Sequence, residues 1–522
     1  MIKVIKGNEV RDFIKDGATI QTVGFGLAGY PEEVAIAIEE SFLTTGHPRD
    51  LTLWYAAGIG NTKDRGVHHF AHEGLLKRVV GGHFGIGGPA INKMIMENQI
   101  EAYNFPQGVL AQMPRNIAGR HPAMLTKVGL GTFVDPRVEG GKITTKTTED
   151  LVEVVQFGGE EWLYYKAPKI DVALIRGSVA DEKGNITLHR EGLLLETISV
   201  ALAAKACGGI VIAQVEQIVK AGTLHAKEIK IPGLFVDYLV VAKPENHFQT
   251  MGTYFNPAYA GDIKIPVDSI KPLEMDERKI IARRAAMELV PGAAVNLGIG
   301  MPEGVAAVAA EEGVEQLMTL TTEPGAHGGV PAGGLDFGHS INAEAVIDQP
   351  YQFDFYDGGG IDVAFLGLAQ MDRHGNINVS KFGPKTAGCG GFINISQNSK
   401  KVVYCGTFTA GGLEIKVVDG RLVIVQEGRN KKFLQDVEQI TFSGEYAAKI
   451  GQPVLYVTER AVFRLTKEGV ELIEVAPGID IEKDILQHMD FKPIIKNVRV
   501  MDPAIFHEKW GELESYIRKN SL

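Results

Sequence analysis

Short runs rich in Val and Ile alternate along this chain with Ala-rich stretches of helical period. The stretch "DGATIQTVGFGLAGYPEEVAIAIEE" (Asp16 to Glu40) reads as a helix end, a tight turn, a strand, a G-x-G loop, a Pro-Glu helix start and an Ala/Val/Ile helix. The same succession returns in "PGAAVNLGIGMPEGVAAVAAEE" (Pro291 to Glu312). Pro just inside a helix with an acid beside it suits the N-terminal turn, where amides are free and the dipole favours negative charge. A second pair is "KIDVALIRGSVADEKGNITL" (Lys169 to Leu188) and "GIDVAFLGLAQMDRHGNINV" (Gly360 to Val379). Each member is a buried strand, an acid-rich turn ending in Gly-Asn, and another strand.

Because the pairs recur in the same order, the pattern predicts duplicated α/β domains with largely parallel sheets, not short solenoid repeats. The boundary is expected in "FNPAYAGDIKIPVDSIKPLEMDER", which is rich in Pro, Asp and Gly and lacks a long apolar period. This gives an N-terminal domain over 1–260, a linker over 261–277 and a C-terminal domain over 278–522. The helix that resumes at "RKIIARRAAMELV" is expected to carry Lys279, Arg283 and Arg284 on a solvated face. Further on, "KVVDGRLVIVQEG" reads as a hairpin and "PVLYVTERAVFRLTKEGVELIEVAPG" as a meander.

Composition narrows the class. At 522 residues the chain is too long for one core. A net charge of -11 argues against nucleic acid as the main partner, while leaving room for local basic pockets that take a phosphorylated ligand. The three cysteines, Cys207, Cys389 and Cys405, are far apart and form no CxxC pair, so neither a disulfide framework nor a zinc site is expected. There is no apolar leader and no run long enough to span a membrane, which points to a cytoplasmic protein.

Several motifs carry candidate chemistry. "VGFGLAG" (Val23 to Gly29) matches a dinucleotide phosphate loop and raises a nicotinamide-dependent oxidoreductase as one reading. The acid that should end the next strand is missing, because Asp50 precedes "LTLWYAAG" instead. Tight turns at the top of a strand, or close approach to another ligand, fit Gly24 and Gly26 equally. His68 and His72 in "VHHFAHEG" are spaced as a metal pair, but no third ligand is evident, and packed imidazoles are the alternative. In "KFGPKTAGCGGFINIS" two basic residues precede Gly388, Gly390 and Gly391; a backbone N–H nest for an oxyanion or phosphate is the functional reading, with Lys385 beside it.

The most pointed feature is Glu323. It ends the run "LMTLTTE", which reads as a buried strand, and is followed by Pro324 and a crowd of glycines. Proline pushes the preceding residue toward extended backbone, which suits a side chain presented at a strand's C-terminal end. A carboxylate there can serve as base, ligand or nucleophile.

Taken together, "TLTTEPGAHGGVPAGG", "GCGGFINIS" and the duplicated G-x-G/Pro-Glu units resemble the family I CoA-transferases, specifically the fused single-chain, short-chain type that acts on acetate or propionate. "RGVHHFAHEGLLKR", "AYNFPQGVLAQ", "VGLGTFVDPR", "QFDFYDGGGIDV", "YCGTFTAGG" and "VQEGRNKKF" extend the match over nearly the whole chain. The resemblance implies a NagB/CoA-transferase-like fold in each half with the active site between them. It implies Glu323 as nucleophile, oxyanion donors at Gly391 and Gly390, and Gln107 at the reacting centre. Gly388, Lys385, Gly24 and Gly26 are then candidates for the CoA or acyl neighbourhood. The expected substrates are acyl-CoA and short carboxylates, with CoA as a substrate and no resident cofactor or metal. A homo-oligomer, often a tetramer, is the family expectation. A hydrolase on the same scaffold is an alternative, as is a sugar-phosphate-sensing module, which has no use for Glu323. Relatives usually carry a small or polar residue in place of Pro324 and an aliphatic one near His327, so both positions bear on acyl preference.

Overall fold

The computed structural model describes residues 2–266 and 273–520; the middle of the expected linker, 267–272, lies outside them. The chain forms two compact units that interleave in sequence. One comprises residues 1–265, 322–354 and 382–394, and the other 266–321, 355–381 and 395–522. Each has its own apolar core, around Ile20, Leu53 and Val79 in the first and around Val295, Phe365 and Val403 in the second.

The first unit is built on an eight-stranded sheet in the order Lys3–Val4, Tyr238–Val241, Ile210–Val215, Val172–Arg176, Thr19–Thr22, Leu51–Tyr55, Leu76–Gly81, Glu101–Asn104. Every pairing in it is parallel. Its middle strand, Val172–Arg176, is buried at every position, as expected for a strand covered on both faces. The strand order reverses between Thr19–Thr22 and Val172–Arg176, the switch point at which such sheets hold ligands. Between the two repeated motifs the chain also inserts an antiparallel three-stranded sheet over Ala123–Thr126, Val152–Phe157 and Glu160–Lys166.

In the second unit Met318–Thr321, Ala293–Leu297, Val363–Gly367, Val402–Cys405 and Val454–Val457 pair in parallel. The strands Ala461–Thr466 and Gly469–Val475 then turn back antiparallel, which makes the expected meander. The expected hairpin is also present, as Glu414–Val418 paired with Arg421–Gln426.

The duplication extends to individual hydrogen bonds. Asp171 accepts from the Thr19 N–H at 3.0 Å, and Asp362 from the Ala294 N–H at 2.9 Å. Asp181 caps its turn through the amides of Lys183 and Asn185, and Asp372 does so through those of His374 and Asn376. Asn185 Oδ1 accepts from Gly233 and Asn376 Oδ1 from Gly444, each at 2.9 Å. This turn needs both side chains, which explains why "D-x-x-G-N" persists in both copies.

One expectation fails outright. Lys279, Arg283 and Arg284 do not lie on a solvated face; all three are buried. Lys279 bonds Glu311 at 2.8 Å, Arg284 bonds Glu474 at 2.6 Å and Glu288 at 2.7 Å, and Arg283 donates to the carbonyls of Ile505 and Glu508, each at 3.0 Å. The C-terminal segment covers this helix and supplies acceptors for its cations, which local charge patterning cannot reveal. The strand before Glu323 is also less buried than expected: only Thr321 of Met318–Thr321 is fully covered.

Candidate active site

Glu323 sits in a tight turn. Thr322 donates its N–H to Ala326 O at 2.9 Å, and Gly325 donates to Thr322 O at 3.1 Å. Gly325 has φ +115°, and a Cβ there would stand 2.0 Å from Ile347 O, so only glycine fits. The glycines after Glu323 therefore serve backbone packing as much as access.

Opposite Glu323 lies the loop Gly388–Gly391. It is held by residues from the other end of the sequence. Gly390 donates to Gly82 O at 2.7 Å, Cys389 donates to Asn104 Oδ1 at 2.9 Å, and Gln107 donates its backbone N–H to Gly390 O at 2.9 Å. Asn104, fully buried, also donates to Gly81 O and Gly82 O at 2.8 and 2.7 Å. Gln107 and Gly108 open the helix Gln107–Ala118, and the Gly108 N–H donates to Asn394 Oδ1 at 3.0 Å. The first amides of a helix have no partner within it, and here the later segment provides acceptors. Asn104 and Asn394 are thus clamps, marked in the sequence only by their places in "AYNFPQG" and "GCGGFINIS".

At this junction Gly391 faces the carboxyl group. A Cβ on Gly391 would lie 2.5 Å from Glu323 Oε2. Burial pushes the Glu323 pKa up to about 7, against the Gly391 N–H and the Gln107 side chain, which both favour the charged form. Glu323 as a whole residue is only half-buried, so the carboxyl is enclosed while part of the side chain still meets solvent. Gln107 Nε2 is buried and makes no full hydrogen bond, though it lies near enough to act on the carboxylate charge. Of the two expected oxyanion donors, Gly390 has its N–H committed to Gly82 O, whereas the Gly391 N–H faces the Glu323 carboxyl.

The remaining candidates fall elsewhere. Gly388, at φ +92°, abuts Asn104 and Gly82 and is structural to the loop, while Lys385 is exposed on its own short strand. The N-terminal G-x-G loop is packed shut. A Cβ on Gly24 would meet Ile59 at 3.0 Å and one on Gly26 would meet Met251 at 2.7 Å; the Gly26 N–H and carbonyl are both paired, with Gly58 and Gly60. It offers no free nest to a phosphate. Of the expected pair, His72 is bonded to Glu39 at 2.6 Å, as is the neighbouring His69 at 2.5 Å, whereas His68 Nδ1 is buried without a hydrogen-bond partner among the described residues. Among the described residues no helix is long and apolar enough to cross a membrane. The three cysteines are free.

A feature absent from the sequence reading lies in the second unit. A cavity of about 190 Å³, lined by Met301, Gly367, Leu368, Cys405, Thr407 and Lys432, sits at the C-terminal ends of its parallel strands. Lys432 is buried, donates to Thr407 O at 2.8 Å, and has its pKa lowered to about 8 by burial, against the pull of Glu459.

Comparison with known proteins decides what carries this geometry. Residues 7–242 match the family model described as coenzyme A transferase. The chain is 50% identical to caffeate CoA-transferase of Acetobacterium woodii, over 99% of this chain and 100% of that one. It is 43% identical to acetate CoA-transferase YdiF of Escherichia coli K12, over 97% and 95%. The chain belongs to the family I CoA-transferases. The fold of this CoA-transferase superposes on the apoenzyme of the acyl-CoA transferase YdiF from Escherichia coli O157:H7 with a TM-score of 0.91, at 41% identity, over 98% of this chain and 97% of that one. It is an enzyme that takes CoA as a substrate, with an α/β fold of large parallel sheets.

Proposed function

We propose that this CoA-transferase moves CoA between short-chain acyl-CoA and carboxylates of the acetate/propionate type, by ping-pong kinetics through Glu323. The observation that carries the reading is Glu323 itself: an enclosed carboxyl with a raised pKa, no cation acting on it among the described residues, and the Gly391 N–H and Gln107 side chain beside it. A carboxylate is a weak nucleophile, and loss of solvation leaves it more basic and less stabilised before attack.

A Glu323 oxygen attacks the thioester carbonyl carbon. The oxyanion that forms collapses, the C–S bond breaks, and CoA leaves as thiolate from a glutamyl-acyl anhydride. The thiolate then attacks the Glu323 carbonyl carbon, the anhydride C–O bond breaks, and the first acid departs as carboxylate. This leaves a glutamyl-CoA thioester, which an acceptor carboxylate resolves by the same steps in reverse. The Gly391 N–H and Gln107 Nε2, which both already favour the charged form of the Glu323 carboxyl, are the donors at hand for each oxyanion.

The cavity at Met301, Gly367 and Lys432 lies at the ends of parallel strands, where α/β sheets hold ligands, and is a candidate ligand crevice of the second unit. The 50% identity to a caffeate CoA-transferase supports a second reading of the acyl group, a hydroxycinnamate in place of a short chain. Initial rates with acetyl-CoA and a panel of acetate, propionate, butyrate and cinnamates test both. Parallel double-reciprocal lines with the short acids preferred are expected; intersecting lines would refute the ping-pong order, and preference for cinnamates would refute the short-chain assignment.

A further inference from the structure

Beyond the residues that touch the reacting carboxyl, unit one buries polar atoms that no other described residue satisfies. Glu196 is 1% exposed, and among the described residues its carboxyl oxygens meet no donor but its own backbone amide. Gln349 is 0% exposed, and neither its Oε1 nor its Nε2 has one. The two are neighbours, since the Gln349 backbone N–H donates to Leu195 O at 3.1 Å. Leu195 itself is held at φ +54°, a left-handed conformation uncommon outside glycine, with its side chain against Gly29.

This pair lies on elements that lead to Glu323. Helix Gln349–Asp357 begins at Gln349. One turn on, Gln352 Oε1 pairs with His327 Nε2 at 2.6 Å, four residues beyond Glu323, and Gln352 Nε2 is again unpartnered. The next residue, Phe353, meets Gly108, which follows Gln107; a Cβ on Gly108 would be 2.6 Å from its ring. The chain entering the helix also runs beside the Glu323 turn, where the Ile347 N–H donates to Gly325 O at 2.9 Å. On the other side, helix Gln107–Ala118 packs along Thr197–Ala206, the helix that Glu196 precedes.

We propose that Glu196 and Gln349 are specificity-determining residues that hydrogen-bond a hydroxyl group on the acid whose carboxylate is exchanged at Glu323. The proposal rests on the transferase reading above. A hydroxyl both donates and accepts, and the pair supplies both functions. Burial raises the Glu196 pKa to about 8, so at neutral pH it holds its proton and is a donor as well as an acceptor. Among the described residues no cation acts on Glu196, so a second carboxylate on the substrate has no counter-charge from them there. A wholly aliphatic acyl chain leaves every one of these atoms unpaired. His327, the departure from the family pattern, reaches the same helix through Gln352.

The test uses Glu196→Met, Gln349→Met and the near-isosteric Glu196→Gln, with acetyl-CoA as donor. Two pairs of acceptors are assayed: 3-hydroxypropionate against propionate, and 4-hydroxycinnamate against cinnamate. The ratio of kcat/KM for the hydroxylated acid to that for its parent should fall about tenfold in either Met variant and stay within about twofold of wild type in Glu196→Gln. A fall confined to the first pair places the hydroxyl on a short chain, and a fall confined to the second places it on a ring. Unchanged ratios in both pairs, or a Glu196→Gln ratio as low as that of Glu196→Met, overturn the proposal. Calorimetric affinities of the same acids for each protein give the ratio without turnover. If wild type transfers CoA to none of the acids, the transferase reading fails separately, and the affinity ratios still decide the role of Glu196 and Gln349.

Discussion

The two copies of the strand-turn motif share the Asp and Asn residues that cap their turns and differ where the strand ends. In "DVALIRGSVAD" the strand ends in Arg176; in "DVAFLGLAQMD" the matching residue is Gly367. Arg176 fills the switch point of its sheet. It donates to Phe248 O at 2.8 Å and to Leu27 O at 3.2 Å, inside the first G-x-G-x-x-G loop, and holds Glu191 in a bidentate pair at 3.0 and 2.5 Å. Burial opposes the Glu191 charge, but Arg176 and His247 overcome it and keep the pKa far below the usual carboxylate range. In the second copy nothing stands within 4 Å of a Cβ built on Gly367, and the cavity opens there. The Pro-Glu helix starts diverge in the same sense: Glu32 is buried against His69 and the Gly66 N–H, whereas Glu303 is part-exposed beside Arg278. The crevice at the strand end is thus filled by charge in the first copy and open in the second.

Exchanging the decisive residues should break this contrast. Arg176→Gly leaves Glu191 buried beside a void and without its main counter-charge, so we expect a loss of about 3–5 kcal/mol in urea unfolding. Gly391→Ala places a methyl against the Glu323 carboxylate and should lower kcat by about 10²-fold while leaving unfolding close to wild type; that separates chemistry from scaffold. Gly367→Arg copies the plug into the open site, where there is room for it. The expected result is a KM for acyl-CoA raised about tenfold, and an unchanged KM removes CoA from that cavity.

The smallest expected effect is in pH dependence. Both ring nitrogens of His69 contact carboxylates, Glu32 at 2.9 Å and Glu39 at 2.5 Å. Burial works against the imidazolium, but these bonds outweigh it and raise the pKa to about 9. A group with a raised folded pKa stabilises fully below its unfolded value, near 6.5, and loses that contribution as pH climbs through about 9. Thermal unfolding of wild type should therefore weaken between pH 7 and 10 more steeply than that of His69→Asn.

Much of this was legible in the residues. The repeated motifs disclosed both parallel sheets, because their Gly-Asn turns and Pro-Glu starts are local chemistry. Glu323 stood out as a charge among glycines, and the family resemblance covered Gln107 and Gly391. Burial of Arg283 and Arg284 was not legible, because the acceptors that cover them, the Ile505 carbonyl and Glu474, lie more than 180 residues away in sequence. Nor was the closure of the first G-x-G loop, since Met251, which packs against Gly26, comes from a distant segment. The Gly390 amide was legible as a nest donor, and only the approach of Gly82 shows that it is spent on holding the loop. Glu196 reads as an ordinary helix-start acid until its lack of partners is seen.

The central claim is that Glu323 carries CoA covalently. Intact-mass measurement followed by peptide mapping, after mixing the protein with acyl-CoA and no acceptor acid, tests it most directly. The account predicts one CoA attached through a thioester on the peptide containing Glu323, discharged by added acetate and absent in Glu323→Ala. An unmodified protein that still transfers CoA, or an adduct on another residue, would contradict it.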